Sequence, residues 1–191
     1  MDCYKILINY LKLNLYYFLP MWHESCEKAV NKQIQMEYWA SYQYHIIWSY
    51  FDRNTIGLNN IAEFFRKSSE EEREHAHKLM EYQNMRGGTV SLDGIEKVDL
   101  DFLSDKSDTK SDVLLALEKA LEMEVIVYKS LLNVHNVGEK CTDPQFTDFI
   151  EGEYLEEQVK AIQDISKMIS QVKRIGNDGH GIWNFDQNFK A

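Results

Sequence analysis

Residues 68–80, S-S-E-E-E-R-E-H-A-H-K-L-M, carry the pattern on which the reading of the whole chain turns. Glu72 and His75 are three residues apart, so on an α-helix a carboxylate and an imidazole stand side by side on one face, which is metal-ligand spacing. A run as charged as Glu70 to Glu74 is by itself the mark of a solvated helix face. The rest of the helix changes that reading. Steps of three and four outward from the pair give Ile61, Phe65, Ser68, Glu72, His75, Leu79 and Tyr82, a stripe that is apolar at both ends. The pair is expected to face the core, where a carboxylate needs a partner and a metal ion is a suitable one.

With 191 residues and 44% hydrophobic content, the chain is long enough for one well-packed domain and short for two. Only 2 Pro and 9 Gly, set among long periodic segments, argue for an all-helical fold. A formal net charge of -10 disfavours nucleic acid and anionic membranes as partners and favours cations. Cys3, Cys26 and Cys141 are odd in number and lack C-x-x-C spacing, so neither a disulfide framework nor a thiolate metal site is expected, and a reducing compartment fits.

Met1 to Met21 differ in character from the rest of the chain and are read as an N-terminal extension, with residues 22–191 as the domain. Ile6 to Leu19 is apolar but interrupted by Asn9, Lys12 and Asn14, too short and polar for a membrane span. Lys12 inside the run and the missing small-x-small cleavage site count against a signal peptide. A cytoplasmic protein is therefore expected, with secretion as the alternative if the extension is a signal peptide.

The first helix is expected over about Glu24 to Phe51, with Val30, Ile34, Glu37, Ser41, Tyr44, Trp48 and Phe51 inward. Asn-rich residues 52–60 return the chain into a second helix, about Asn60 to Arg86, closed by Gly87-Gly88. Residues 87–110 lose periodicity and are long enough to cross the whole bundle. Ser111 and Asp112 cap a third helix with the stripe Leu114, Leu117, Leu121, Glu124, Tyr128, Leu131 and His135. A turn over Val137 to Pro144, with Gly138 as its stop signal, leads to a fourth helix carrying Glu151, Tyr154, Gln158, Ala161, Ile165, Met168 and Val172. Gly176 to Gly181 breaks it, and Ile182 to Phe189 form a short terminal segment.

Each of the four stripes thus carries a ligand type: Glu37, Glu72 with His75, Glu124, and Gln158. The ferritin-like di-iron carboxylate bundles place a Glu on each of two helices and Glu-x-x-His on each of the other two. This chain supplies half of that. Val127 stands where a second His would fall, and Gln158 is a neutral amide. The result is a lopsided pair of sites, one held by Glu37, Glu72 and His75, the other by Glu124, a shared Glu72 oxygen and Gln158. Fewer charged ligands suit iron that passes through as a substrate better than a permanent cofactor.

The segments Y-W-A-S-Y-Q-Y, F-D-R, E-E-R-E-H-A-H-K-L-M, Q-N-M-R-G-G, D-F-I-E and Y-L-E-E-Q-V-K-A-I resemble eukaryotic ferritin of the heavy, catalytically active type, from about Trp22 to Gly181. The resemblance implies a four-helix bundle with one long crossover and a short C-terminal fifth helix. It also implies a hollow octahedral cage, built from copies of this chain or with other ferritin subunits, that oxidises Fe(II) with O₂ and stores ferric mineral. The oxidation centre it implies falls on Glu37, Tyr44, Glu72, His75, Glu124 and Gln158, with Glu157 as an accessory acid. An iron-inlet channel at the three-fold axis falls on His135, Asp148 and Glu151, and mineral nucleation on Glu70, Glu71 and Glu74. Gln145, Thr147 and His77 depart from residues common in the family. His23, His45, His77 and His180 lack partner spacing and read as surface or packing residues.

Three further departures are the extension Met1 to Met21, extra residues near Asp105 to Lys110, and a short polar tail that implies a reduced fifth helix. Two rival functions use the same fold: a di-iron oxygenase or peroxidase acting on an organic substrate, and a storage or yolk cage without oxidation. The missing second His disfavours the first, and the intact ligand set disfavours the second.

Overall fold

Four helix starts are fixed by local side-chain chemistry. His23, Ser111, Asp143 and Asp178 accept hydrogen bonds from the backbone N–H of Ser25, Leu114, Phe146 and Gly181, satisfying donors that a helix leaves open at its start. The computed structural model describes residues 22–105 and 110–189, and among them no strand occurs. Helix α1 is Glu24–Phe51, α2 is Asn59–Met85 and α3 is Asp112–Lys140. Helix α4 continues without a break through Pro144–Ile150, a π-helical turn at Glu151–Leu155, and Glu156–Ile175. Helix α5 is Gly179–Asn188. The extension Met1 to Met21 lies outside the described residues, as does most of the segment expected to hold extra crossover residues.

Hydrogen bonds between helices give their directions. Ser41 meets Ser69, and Trp22 meets Gln83, so α1 and α2 run antiparallel. Tyr50 meets Asp112 and Gln33 meets Ser130, so α3 is also antiparallel to α1. Arg86 and Ser111 therefore lie at opposite ends of the bundle. Asn31 and Gln35 strap this crossover to α1 by donating to the carbonyls of Thr89 and Gly94, both at 2.9 Å. Among the described residues no helix is long and apolar enough to cross a membrane.

The apolar core has two parts. One gathers Tyr44, Phe51, Phe65, Leu117, Met123 and Ile165, and the other Ile34, Leu79, Val127, Leu131, Phe146 and Tyr154. Along α2, α3 and α4 the chain passes from one part to the other at a buried polar residue, Glu72, Glu124 and Gln158, and on α1 it does so at Ser41, one turn after buried Glu37. The two hydrophobic clusters supply the burial free energy, and the polar layer between them is what they position.

Three expectations need correction. Gly138 does not stop α3, which continues to Lys140; a Cβ there would come within 2.9 Å of Phe146 and Thr147, so its small size permits the close approach of α4. The chain turns instead at Thr142, the one non-glycine residue with positive φ (54°) among the described residues. The inward line of α3 runs through Leu117, Ala120, Glu124, Val127, Leu131 and Val134, whereas Leu121, Tyr128 and His135 are only half-buried, because small Ala120 and β-branched Val127 fit nearer the bundle axis. The tail is also more firmly built than its polarity implies. Asp186 on α5 is fully buried and accepts from the backbone N–H of Asn60 (3.0 Å) and Ile61 (2.9 Å), capping α2, whose own N-cap residue Leu58 has no side-chain acceptor. Such a cap contributes about 1 kcal/mol.

Candidate metal centre

The polar layer divides into two halves. In the first, Glu37 from α1 and Glu72 with His75 from α2 each offer a ligand atom, and these atoms lie within 4.8 Å of one another. His75 Nδ1 is 3.3 Å from Glu72 Oε2, and its Nε2 is 3.3 Å from Glu157 Oε2. Tyr154 anchors this turn of α2 by donating to the His75 carbonyl at 3.0 Å. One oxygen of Glu37 accepts from Gln33 Nε2 at 2.8 Å, and Gln33 in turn accepts from Ser130 at 2.6 Å. The other Glu37 oxygen, Oε2, is buried with no hydrogen-bond partner.

In the second half both oxygens of Glu124 are engaged. The Tyr44 hydroxyl donates to one and the Gln158 amide to the other, and Gln158 also reaches the Glu124 carbonyl at 3.1 Å. A cavity of about 280 Å³ lies against this half, lined by Tyr44, Glu71, Glu72, Glu124, Glu157 and Gln158 among others. Its acids give a cation a polar route to the buried layer.

Burial is the main reason that Glu37 and Glu72 hold their protons well above the ordinary carboxyl range. The neighbouring acid adds to it, Glu72 acting on Glu37 and Glu124 acting on Glu72. Glu124 is raised as well, mainly by burial, while its bonds to Tyr44 and Gln158 oppose the rise. Burial and the charge of Glu124 likewise push the Tyr44 phenol up. Three buried acids that repel one another gain most from a multiply charged cation, and oxygen and imidazole donors match Fe(II).

The other expected site residues fall in three places. His135 Nε2 is 2.6 Å from Glu151 Oε1, while Asp148 is exposed one turn earlier on α4. Glu71 is exposed overall but lines the cavity, where partial desolvation followed by the charge of Glu157 raises its carboxyl value. Glu70 is paired with Arg66 at 2.5 Å, and Glu74 is exposed. His23 caps α1, and His45, His77 and His180 pack against Trp48, Tyr38 and Trp183. Sequence reasoning missed Gln33 and Ser130. The available signal was that Gln33 lies four residues before Glu37, on the same helix face.

A family description, Ferritin-like domain, matches residues 27–175. The chain belongs to the ferritin family. Ferritin, chloroplastic, from Malus baccata var. xiaojinensis is 51% identical over 164 residues, covering 86% of this chain and 64% of that protein. Ferritin-2, chloroplastic, from Zea mays is 50% identical over the same length, with 86% and 64% covered. Ferritin-1, chloroplastic, from Pisum sativum is 51% identical, with 86% and 63% covered. The chain spans a little under two thirds of the length of these ferritins. Their names overturn the expectation of a cytoplasmic or secreted protein, since each is a chloroplastic ferritin. That expectation rested on Met1 to Met21, which lie outside the stretch that the family description matches.

Proposed function

We propose that this chain is an iron-storage subunit that oxidises Fe(II) with O₂ at a centre inside each subunit and holds the ferric product in a hollow cage of many subunits, residues 22–191 forming its single domain. The observation that carries this reading is the convergence of Glu37, Glu72 and His75 within 4.8 Å in a buried layer, with one Glu37 oxygen left without a partner. Iron is substrate and cargo here. Glu37, Glu72 and His75 hold one ion, and Glu124, Glu72 and Gln158 hold the other, with Glu72 shared because it lies beside Glu37 on one side and lines the same cavity as Glu124 on the other. Carboxylates bind the more highly charged ferric ion more strongly than the ferrous ion, so this ligand set favours loss of an electron from each iron to O₂. Tyr44 keeps Glu124 turned toward the pair. Glu71 and Glu157 at the cavity draw Fe(II) inward and take up protons released as the ferric product hydrolyses.

His135, Asp148 and Glu151 form the inlet at a three-fold axis of the cage, and Glu70, Glu71 and Glu74 face the mineral. The compartment follows the chloroplastic relatives: the protein works in a plastid, which fractionation of its own cells checks. Aerobic loading of the purified protein with Fe(II) tests the storage reading. The expected result is soluble hollow particles with iron retained in their interior. A chain that stays monomeric, with iron precipitating as fast as in protein-free buffer, would overturn it.

A further inference from the structure

We infer that Gln33 is a positioning residue of the metal centre and that Ser130 orients it, the two together holding one oxygen of Glu37 so that the other stays turned to the metal. The inference rests on the assignment of Glu37 as a ligand made above. Gln33 is fully buried, as is Glu37 one helical turn later. The contact between them is 2.8 Å. The amide presents its nitrogen to Glu37 and its oxygen to the other side, where the Ser130 hydroxyl donates to it at 2.6 Å, which is the arrangement that an ionised, metal-binding carboxylate requires because it can only accept. A reversed amide would set two oxygens against each other in a buried site. Ser130 on α3 thereby fixes which way Gln33 on α1 faces, across 97 residues of sequence.

The outcome is visible in Glu37 itself: Oε1 is occupied by the amide, and Oε2 is buried without a hydrogen-bond partner, beside Glu72 and His75. A neutral donor suits the task. Lys or Arg in its place would cancel the carboxylate charge and compete with the cation, whereas an amide fixes the geometry and leaves the charge for the metal. The second half of the centre has no comparable support, because its donors, Tyr44 and Gln158, occupy both Glu124 oxygens directly.

Outer partners of this kind typically alter metal affinity by about 10- to 100-fold. The test is anaerobic titration of the assembled apoprotein with Co(II), read by affinity and by the absorption band of the bound ion, with the thermal midpoint of the apoprotein measured alongside. Gln33→Met should weaken the tighter site by about tenfold or more and shift its Co(II) band, while the weaker site keeps its affinity. Ser130→Ala should move both readouts in the same direction by less, and the double variant should bind no more weakly than Gln33→Met alone. Wild-type Co(II) affinity and band in Gln33→Met would overturn the inference, as would equal weakening of both sites together with a lowered midpoint, the mark of packing alone. If Gln33→Met does not fold, Ser130→Ala decides, and unchanged binding there overturns the proposal. Glu37→Ala separates the two levels of argument: a tight site that survives it means that Glu37 is not a ligand, and the reading of the centre fails with the inference.

Discussion

Glu124 enters its half of the centre with both oxygens already bound, to Tyr44 and Gln158, whereas Glu37 in the other half keeps one buried oxygen with no hydrogen-bond partner. The α1–α2 half is held open by a scaffold outside the ligands, and the α3–α4 half is closed by hydrogen bonds from Gln158 and from Tyr44 of α1. A cation arriving at the first half gains Glu37, Glu72 and His75 and displaces at most a proton shared between the two carboxyls. A cation at the second must loosen Tyr44 or Gln158 from Glu124. The difference teaches that asymmetry within a ligand set lies in prior hydrogen bonding as well as in the count of charged groups. It also gives a physical basis for one ion held more firmly than the other.

That comparison breaks most readily under titration with Zn(II), which binds without changing oxidation state. Isothermal calorimetry should resolve a tighter and a weaker site per chain, separated by about tenfold or more. Tyr44→Phe frees one Glu124 oxygen and should narrow the gap. Two equally tight sites in the wild type would contradict the asymmetry and favour the oxygenase reading. The proposed inlet offers a smaller effect. Asp148→Asn with Glu151→Gln leaves the ligands intact and removes cation attraction, so Fe(II) oxidation in the assembled cage should slow by a few-fold at low ionic strength. Equal stopped-flow rates at subsaturating iron would mean that iron enters elsewhere.

The smallest effect is on stability. Glu37, Glu72 and Glu124 have folded-state values raised above 4.5, chiefly by burial. Their contribution to stability is fully present below that value and is lost as pH rises through the raised folded values, where the folded state holds more protons than the unfolded. The apoprotein's melting midpoint should fall by a few degrees as pH rises above 4.5 through the raised folded values, and Glu72→Gln should flatten the slope. Metal binding expels the same protons, so Zn(II) affinity should rise over the interval in which apo stability falls. Calorimetric scans with and without Zn(II) measure both trends.

Much of this was legible in the sequence because helices are periodic. Glu37, Glu72, Glu124 and Gln158 interrupt apolar stripes, and a polar residue on such a stripe is conspicuous whatever the partner. Their convergence follows from helix length and crossover length alone. What the stripe could not convey is orientation across helices: that Ser130 on α3 turns Gln33 on α1, or that Tyr44 and Gln158 close Glu124. A buried Gln looks like a surface Gln in one dimension. Gly138 misled for a related reason, since a glycine that ends a helix and one that admits a neighbouring helix share the same letter. Asp186 sits in a tail whose composition reads as solvated, yet it caps α2 from 126 residues away. The compartment was not legible because the apolar run at residues 6–19 fits neither a membrane span nor a signal peptide, and that mismatch does not itself name a compartment.

Oxygen uptake on adding Fe(II) to the assembled apoprotein tests the central claim most directly, with Glu72→Ala and His75→Ala run beside the wild type and particle size checked for each. The account predicts a fast phase in the wild type that saturates near about two Fe(II) per chain. In both variants, assembled as intact cages, the phase should be slowed by about 100-fold or more. Wild-type uptake in either assembled variant, or uptake in the wild type no faster than in buffer, would contradict it.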